Sequence, residues 1–315
     1  MAKFHALEAK ACYPTETEVD QWLDDIWTDA GQSSDSSMGI DFLGNGFEDS
    51  LCVGHIKDMK LIKFSPKGRS PFYAYWQPTP YGPAPLLVHT PGYGAEVCIH
   101  PDLVMLGYNV LHINPLGYMT PLGRDETKML QGKYFRVLPD TVISRAQTGY
   151  KQWFSDCILA IQWAQAQKNV LPDRVSFFGS SQGGFGSLML GSLFRGRGVR
   201  CIAADVPFGV DFILARKLGT SAGYAMAFDA LKEIKNQADG WYAIGIMDIQ
   251  SHTRRLDLPV MLTAGGTDDL CPPQTIKSLF DNLPSTKLYY YMERQGHDYT
   301  NQFITLVSSW FRLYA

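Results

Sequence analysis

The 315-residue chain has little of what marks membrane or nucleic-acid proteins. It contains no apolar run of the roughly 18 residues that a membrane-spanning helix needs. Its 28 basic and 31 acidic residues nearly cancel, which leaves a net charge of −3. Without an excess of one sign there is no electrostatic footprint for nucleic acid or for an anionic membrane. We therefore expect neither of these partners and favour a small-molecule substrate.

Cysteine is also scarce, and its six positions show neither CxxC nor any other spacing of metal ligands. In a reducing compartment such scattered cysteines are typical of small buried apolar residues. The first residues lack the apolar core of a signal peptide, so we expect a cytoplasmic protein. We expect no disulfide framework, no zinc site and no other metal.

Alternating strand-like and helix-like segments make up most of the chain. Residues 1–50 are predicted to form an N-terminal arm with one amphipathic helix at residues 18–30, followed by a Ser/Gly/Asp-rich stretch. Residues 51–315 are predicted to be a single α/β domain with a mostly parallel central sheet flanked by helices. A helical insert at about residues 209–255 precedes the last strands of this domain.

The sequence GSSQG at residues 179–183 follows an apolar strand-like run and precedes a helix-like stretch. GxSxG in this position is the nucleophile elbow of α/β-hydrolases, in which a sharp turn exposes the serine hydroxyl above the sheet. Glycines flank the serine because the turn brings backbones too close for a Cβ atom. Ser181 is therefore the candidate nucleophile, although the motif alone is weak evidence.

A serine nucleophile needs a base and an acid that orients the base. Asp268 follows a strand-like segment at residues 260–264, and His297 follows another at residues 288–292. Carboxyl ends of parallel strands face the ligand crevice of such sheets, and the order Ser, Asp, His is the order this fold uses. Asp269 competes with Asp268 for the role of the acid. The histidines read as structural are His5, His55, His100, His112 and His252.

Hydrolysis by this route also needs donors to the oxyanion. One is the backbone NH of Gln182, the residue after the nucleophile. The second is expected in the turn HTPGYG at residues 89–94, where the NH of Tyr93 is the candidate. The alternative reading of that turn is an ordinary connection from a strand to a helix.

Three local motifs resemble those of carbohydrate esterase family 7, the acetyl xylan esterases and cephalosporin C deacetylases. They are GSSQGG at residues 179–184, DVPFGVDF at 205–212 and DDLCPP at 268–273. The resemblance implies an α/β-hydrolase fold, a short acyl group (most often acetyl), no cofactor and a homo-oligomer. It assigns the nucleophile to Ser181, the base to His297, the acid to Asp268 in preference to Asp269, and the oxyanion donors to Tyr93 and Gln182.

The sequence departs from the family pattern at two places. The RGQ motif of the family is replaced by NPLGY at residues 114–118, and its His-Glu pair by His297 and Asp298. The first departure leaves the alcohol half of the substrate open. Three rival functions remain at this point: a peptidase of the prolyl-oligopeptidase kind, an acyltransferase, and a hydrolase-fold binding protein without catalysis.

Overall fold

The computed structural model describes residues 5–33, 38–43, 59–69, 71–93, 99–113 and 148–315. These residues form a nine-stranded sheet in the order β1-β2-β3-β5-β4-β6-β7-β8-β9. The strands are β1 (Gly39–Phe42), β2 (Lys60–Ser65), β3 (Phe72–Gln77), β4 (Ala84–Thr90), β5 (Asn109–Ile113), β6 (Val170–Ser180), β7 (Val199–Asp205), β8 (Val260–Gly265) and β9 (Lys287–Met292).

The sheet is antiparallel at one side and parallel over the rest. Strands β1, β2, β3 and β5 pair antiparallel in that order, and β5, β4, β6, β7, β8 and β9 pair parallel. The central strands are near-continuous apolar runs because helices cover both of their faces. This arrangement agrees with the predicted mostly parallel sheet.

Helices pack on both faces of the sheet and divide the interior into two apolar cores. Helices α2, α4 and α5 contribute to the larger core, and α3 and α10 to the smaller one. None of the helices within the described residues is both long enough and apolar enough to cross a membrane. The helices are α1 (Ala6–Ala11), α2 (Glu16–Ser33), α3 (Pro101–Met105), α4 (Thr148–Gln165), α5 (Gln182–Leu193), α6 (Phe212–Leu218), α7 (Ala222–Glu233), α8 (Gln237–Met247), α9 (Pro273–Asn282) and α10 (Asn301–Tyr314).

The N-terminal helix α2 begins with a capping box. The NH of Glu18 donates to the Thr15 hydroxyl, and the NH of Thr15 donates to the Glu18 carboxylate. The apolar side of α2 packs into the larger core, where the Trp22 ring meets Phe154 edge-on at a centroid distance of 6.4 Å. The helix extends beyond the predicted residues 18–30 at both ends. The prediction rested on apolar residues at helical spacing, and the first and last turns of the helix contain few of them.

The sequence reasoning missed two N-terminal elements. Strand β1 lies within the stretch that was read only as rich in Ser, Gly and Asp, and helix α1 precedes α2. Both are short: β1 has four residues and α1 has six. Elements of this size contain too few apolar positions to show a period in the sequence. Strand β1 forms by pairing antiparallel with the neighbouring strand β2.

The insert between β7 and β8 folds as helices α6, α7 and α8 followed by two short 3-10 turns. Asp211, at a left-handed φ of 52°, caps α6 by accepting from the NH of Leu214. The hydroxyl of Tyr224 on α7 donates to the carbonyl of Val210, so α7 is fixed to the chain leaving the sheet. The insert thus lies at the carboxyl edge of the sheet, where the loops that follow the parallel strands begin.

Candidate active site

Ser181 occupies the sharp turn between β6 and α5. Its backbone has φ 57° and ψ −118°, a conformation that non-glycine residues rarely adopt. Its NH donates to the carbonyl of Asp205 at 2.9 Å, which holds the turn against β7. A Cβ atom at Gly179 or at Gly183 would collide with the carbonyl oxygen of Thr90. The two glycines of the motif are therefore required by the contact between β4 and the elbow.

The structure brings the three predicted polar side chains together in one chain of hydrogen bonds. The Nε2 atom of His297 lies 2.9 Å from the Oγ atom of Ser181, and its Nδ1 atom lies 2.8 Å from Oδ2 of Asp268. With the hydrogen of the neutral ring on Nδ1, His297 donates to Asp268 and accepts from the serine hydroxyl. This is the geometry in which an imidazole can take the serine proton.

Asp268 and Asp269, which the residues alone did not distinguish, differ sharply in environment. The Asp268 side chain is buried, and its second oxygen accepts from the NH groups of Leu270 and Cys271 at 2.9 and 2.8 Å. Asp269 is exposed, and its carbonyl rather than its carboxylate accepts a hydrogen bond, from Ser221. Only Asp268 contacts the imidazole.

Both predicted oxyanion donors border the same cavity as the nucleophile. Tyr93, Gln182, Ser181 and His297 all line a cavity of about 260 Å³. Gln182 is buried as the first residue of α5, and Tyr93 stands 41% exposed at the mouth. Backbone NH groups at the start of a helix and in a glycine turn are suited to binding developing negative charge.

The rest of the cavity wall is mostly apolar and was not predicted as part of the site. Met226 comes from α7 of the insert and Phe208 from the loop after β7, so the insert contributes to the wall. The further wall residues are Tyr150, Gly223, Leu270, Cys271 and Tyr299.

Cys271 lies in the wall, and burial raises the pKa of its thiol well above the usual value. The nearby Asp268 and Asp205 raise it further. A thiol kept protonated in this way is a poor nucleophile. Its surroundings fit the expected packing role.

Asp205, at the carboxyl end of β7, is a buried acid that the sequence reasoning did not assign to the site. Its carboxylate accepts from the hydroxyls of Ser180 (2.7 Å) and Thr263. Burial raises its pKa, while these hydrogen bonds and the nearby His297 lower it in part. The rule that pointed to Asp268, a carboxylate at the carboxyl end of a parallel strand, could have found this residue too.

The described residues contain one group of side chains that could hold a metal ion. It consists of His89 on β4, His100 at the start of α3 and His112 on β5. None of them belongs to the hydrogen-bonded chain of Ser181. The NPLGY segment that replaces the RGQ motif lies outside the described residues, as do Cys52 and Cys98.

The parallel sheet with a serine elbow at its carboxyl edge defines an α/β-hydrolase-like fold. Solved structures agree. Acetyl xylan esterase from Paenibacillus sp. R4 matches with a TM-score of 0.77 at 18% identity, covering 99% of this chain and 100% of that one. Acetyl xylan esterase 1 from Thermoanaerobacterium sp. JW/SL YS485 matches with a TM-score of 0.76 at 19% identity, covering 93% and 92% of the two chains.

An acylaminoacyl peptidase from Pyrococcus horikoshii shares the fold more distantly. Its TM-score is 0.60 at 13% identity, with 81% of this chain matching 41% of that one. At sequence level, the model of the acetyl xylan esterase (AXE1) family matches residues 58–312. The chain therefore belongs to the acetyl xylan esterase family and is a carboxylic ester hydrolase, as the motifs predicted.

Proposed function

We propose that the enzyme removes short acyl groups, acetyl above all, from a small-molecule or saccharide alcohol through an acyl-enzyme on Ser181. The observation that carries the proposal is the hydrogen-bonded chain from Ser181 through His297 to Asp268. It lies at the wall of a cavity of about 260 Å³, which suits a small acyl group. The described site residues supply every group this reaction needs, so we propose no metal or organic cofactor for it.

In the proposed reaction, Ser181 Oγ attacks the ester carbonyl while Nε2 of His297 takes its proton. The NH groups of Tyr93 and Gln182 bind the oxyanion of the tetrahedral intermediate. When the C–O bond to the alcohol breaks, His297 returns the proton to the leaving oxygen. Water then attacks the acyl-enzyme, with His297 again as base, and the free acid leaves as Ser181 recovers its proton. Asp268 keeps the imidazole oriented and stabilises its positive charge.

The short acyl group in this proposal comes from the family resemblance, and the cavity is compatible with it. The aromatic rings of Tyr150 and Phe208 and the side chain of Met226 line the wall beside the nucleophile. The family name adds acetylated xylan as a candidate source of the acetyl group.

The test is hydrolysis of chromogenic acetyl, butyryl and octanoyl esters by the wild type and by Ser181→Ala. Loss of the nucleophile is expected to lower kcat by roughly three orders of magnitude or more. Ser309→Ala, an exposed serine on α10, is the matched control and should keep the wild-type rate. If Ser181→Ala retained a tenth of the activity, or if octanoyl esters were preferred, the proposal would fail in its nucleophile or in its acyl group respectively.

We further propose that the protein is cytoplasmic and a homo-oligomer. Cys157, Cys201 and Cys271 are buried free thiols, the state that a reducing compartment maintains. The oligomer is implied by the family resemblance of the sequence. Light scattering coupled to size-exclusion chromatography measures the number of subunits directly, and a mass of 35.2 kDa, that of one chain, would contradict it.

A further inference from the structure

Three histidines lie close together near the carboxyl ends of strands β4 and β5, at the same edge of the sheet as the candidate active site. His89 on β4 and His112 on β5 are register partners in parallel strands, so their side chains leave the same face of the sheet. Their Nδ1 atoms are 2.7 Å apart. His100 at the start of α3 places its ring centroid 4.3 Å from that of His89. One ligand atom from each ring lies within 4.8 Å of the others.

This group, the histidine cluster, is held in an apolar setting. The ring of Phe178 lies 4.7 Å from that of His89 and 5.0 Å from that of His100, centroid to centroid. Burial lowers the pKa of His100 to about 3 and takes that of His89 well below its usual value. Burial thus favours the uncharged imidazole at His89 and His100, and that form carries the lone pair that a metal ligand needs.

One ring nitrogen of the histidine cluster has no hydrogen-bond partner among the described residues, and a purely structural role does not explain why a nitrogen is there. The contact between His89 and His112 accounts for one ring nitrogen of each. The Nε2 atom of His100 is buried and has no hydrogen-bond partner among the described residues. A buried nitrogen without a hydrogen-bond partner destabilises the folded protein. Edge-on packing against Phe178 would not require a nitrogen at this position, whereas binding a ligand would.

The space around the histidine cluster fits a metal ion with a water molecule. A cavity of about 230 Å³ is lined by His89 and His100 and also by Asp205, an acid that can balance positive charge. In tetrahedral coordination with metal–nitrogen bonds of about 2.0–2.1 Å, ligand nitrogens lie roughly 3.3 Å apart. The two Nδ1 atoms, now 2.7 Å apart, would have to separate by about 0.6 Å. The third ligand atom lies within 4.8 Å of them and would have to approach by up to about 1.5 Å.

We propose that His89, His100 and His112 bind a divalent transition-metal ion, with zinc as the best fit. Three imidazoles and one water are an established ligand set for zinc, and imidazole is a ligand of intermediate softness that Ca²⁺ and Mg²⁺ disfavour. Whichever ring donates in the present contact moves its hydrogen from Nδ1 to Nε2, so its Nδ1 lone pair becomes available without net proton loss. The bound ion would cross-link β4, β5 and the start of α3. The ion would take no part in the ester hydrolysis.

The test uses full-length protein freed of metal with a chelator and then titrated with ZnCl₂ in a calorimeter and with CoCl₂ in a spectrophotometer. We expect one ion per chain with a Kd of about 1 µM or tighter, and the visible absorption bands of tetrahedral Co²⁺. His100→Phe keeps an aromatic ring against Phe178 but removes a ligand, and should weaken binding by roughly a hundredfold or more. His112→Gln should have the same effect.

Two control variants separate this site from other histidines. His5→Gln changes an exposed histidine, and His297→Ala removes the imidazole of the candidate active site; both should bind zinc as the wild type does. Circular dichroism and, for all variants except His297→Ala, the esterase rate verify the fold. If His112→Gln fails to fold, His100→Phe decides alone. The inference is wrong if the wild type binds no zinc below about 100 µM, if His100→Phe binds normally, or if His297→Ala abolishes binding.

Discussion

At the scale of single residues, the orientation of His297 depends on one of two adjacent carboxylates. Asp268 contacts Nδ1 of the ring at 2.8 Å and is fixed by two backbone NH groups, whereas Asp269 is exposed. An isosteric amide at position 268 can donate to Nδ1 and so hold the ring in the wrong tautomer. The two aspartates therefore form a matched pair for mutation.

We predict that Asp268→Asn lowers kcat for acetyl ester hydrolysis by roughly three to four orders of magnitude. Asp269→Asn, with the same change of charge one residue away, should stay within about twofold of the wild type, because this carboxylate is exposed and makes no hydrogen bond or ion pair with the described residues of the candidate site. Steady-state kinetics at saturating substrate measures both. Equal losses in the two variants would show that charge near the site, and not the contact with His297, is what matters.

How far the sequence determines the candidate site differs from residue to residue. Ser181 and His297 could be predicted because motif and chain order limit the choice to one residue each. Asp268 could be separated from Asp269 only by the family motif, since the direction of each side chain depends on a turn whose NH groups face position 268. Asp205 ends strand β7 and could have been found by the rule that pointed to Asp268. The wall residue Met226 could not, because no local pattern records how the insert packs against the site.

At the scale of secondary-structure elements, close contact with strand β4 holds the turn at Ser181 in place. The hydroxyl of Thr90 donates to the carbonyl of Gly183, and the hydroxyl of Ser187 donates to the same oxygen. A side chain at position 183 would therefore push α5 away from β4 and move Ser181 with it. The apolar strands that support this contact were predictable, because fully buried strands show as continuous runs of apolar residues.

We predict that Gly183→Ala destabilises the protein by about 3 kcal/mol or more, because the added methyl group would overlap the Thr90 carbonyl. Gly31→Ala is the matched control: position 31 lies in helix α2, and among the described residues no atom outside the local helix backbone lies within 4 Å of the new methyl group. There the same substitution should stabilise by roughly 0.5–1 kcal/mol, since alanine favours a helix. Urea unfolding of both variants measures the difference, and a neutral Gly183→Ala would refute the packing explanation.

At the scale of the whole molecule, the N-terminal helix α2 is joined to distant parts of the chain. Arg255, in the second of the 3-10 turns that end the insert, donates to the carboxylates of Glu16 and Asp20 at 2.8 and 2.7 Å. The indole NH of Trp27 donates to the carbonyl of Leu193 on α5. The apolar pattern predicted that α2 exists but not where it packs, because contacts across more than 150 residues leave no mark on local periodicity.

A second contact between α2 and the rest of the chain includes a buried carboxylic acid, Asp156. Asp156 on α4 lies 3.4 Å from the guanidinium of Arg69, which also pairs with Asp29 of α2 at 3.0 Å. Neither oxygen of Asp156 has a hydrogen-bond partner among the described residues. Burial raises the pKa of Asp156 to about 8, although Arg69 opposes the shift and Asp29 adds to it. We therefore expect the folded protein to hold this carboxyl group mostly neutral at pH 7.

A raised pKa of this kind links stability to pH with a definite sign. Below about pH 4 the carboxyl group is protonated in both the folded and the unfolded chain. Between that pH and about 8 only the folded chain keeps the proton, so this group lowers the free energy of unfolding as pH rises. The largest slope that one proton allows is about 1.4 kcal/mol per pH unit.

We predict that Asp156→Asn removes this dependence, because an amide cannot ionise and Arg69 keeps its pair with Asp29. Relative to this variant, the wild type should lose on the order of 1–2 kcal/mol of unfolding free energy between about pH 5.5 and 7.5. Urea unfolding at both values measures it, with Asp24→Asn, an exposed aspartate of α2, as the control that should parallel the wild type. If Asp156→Asn also parallels the wild type, Arg69 outweighs burial and Asp156 is charged in the folded protein.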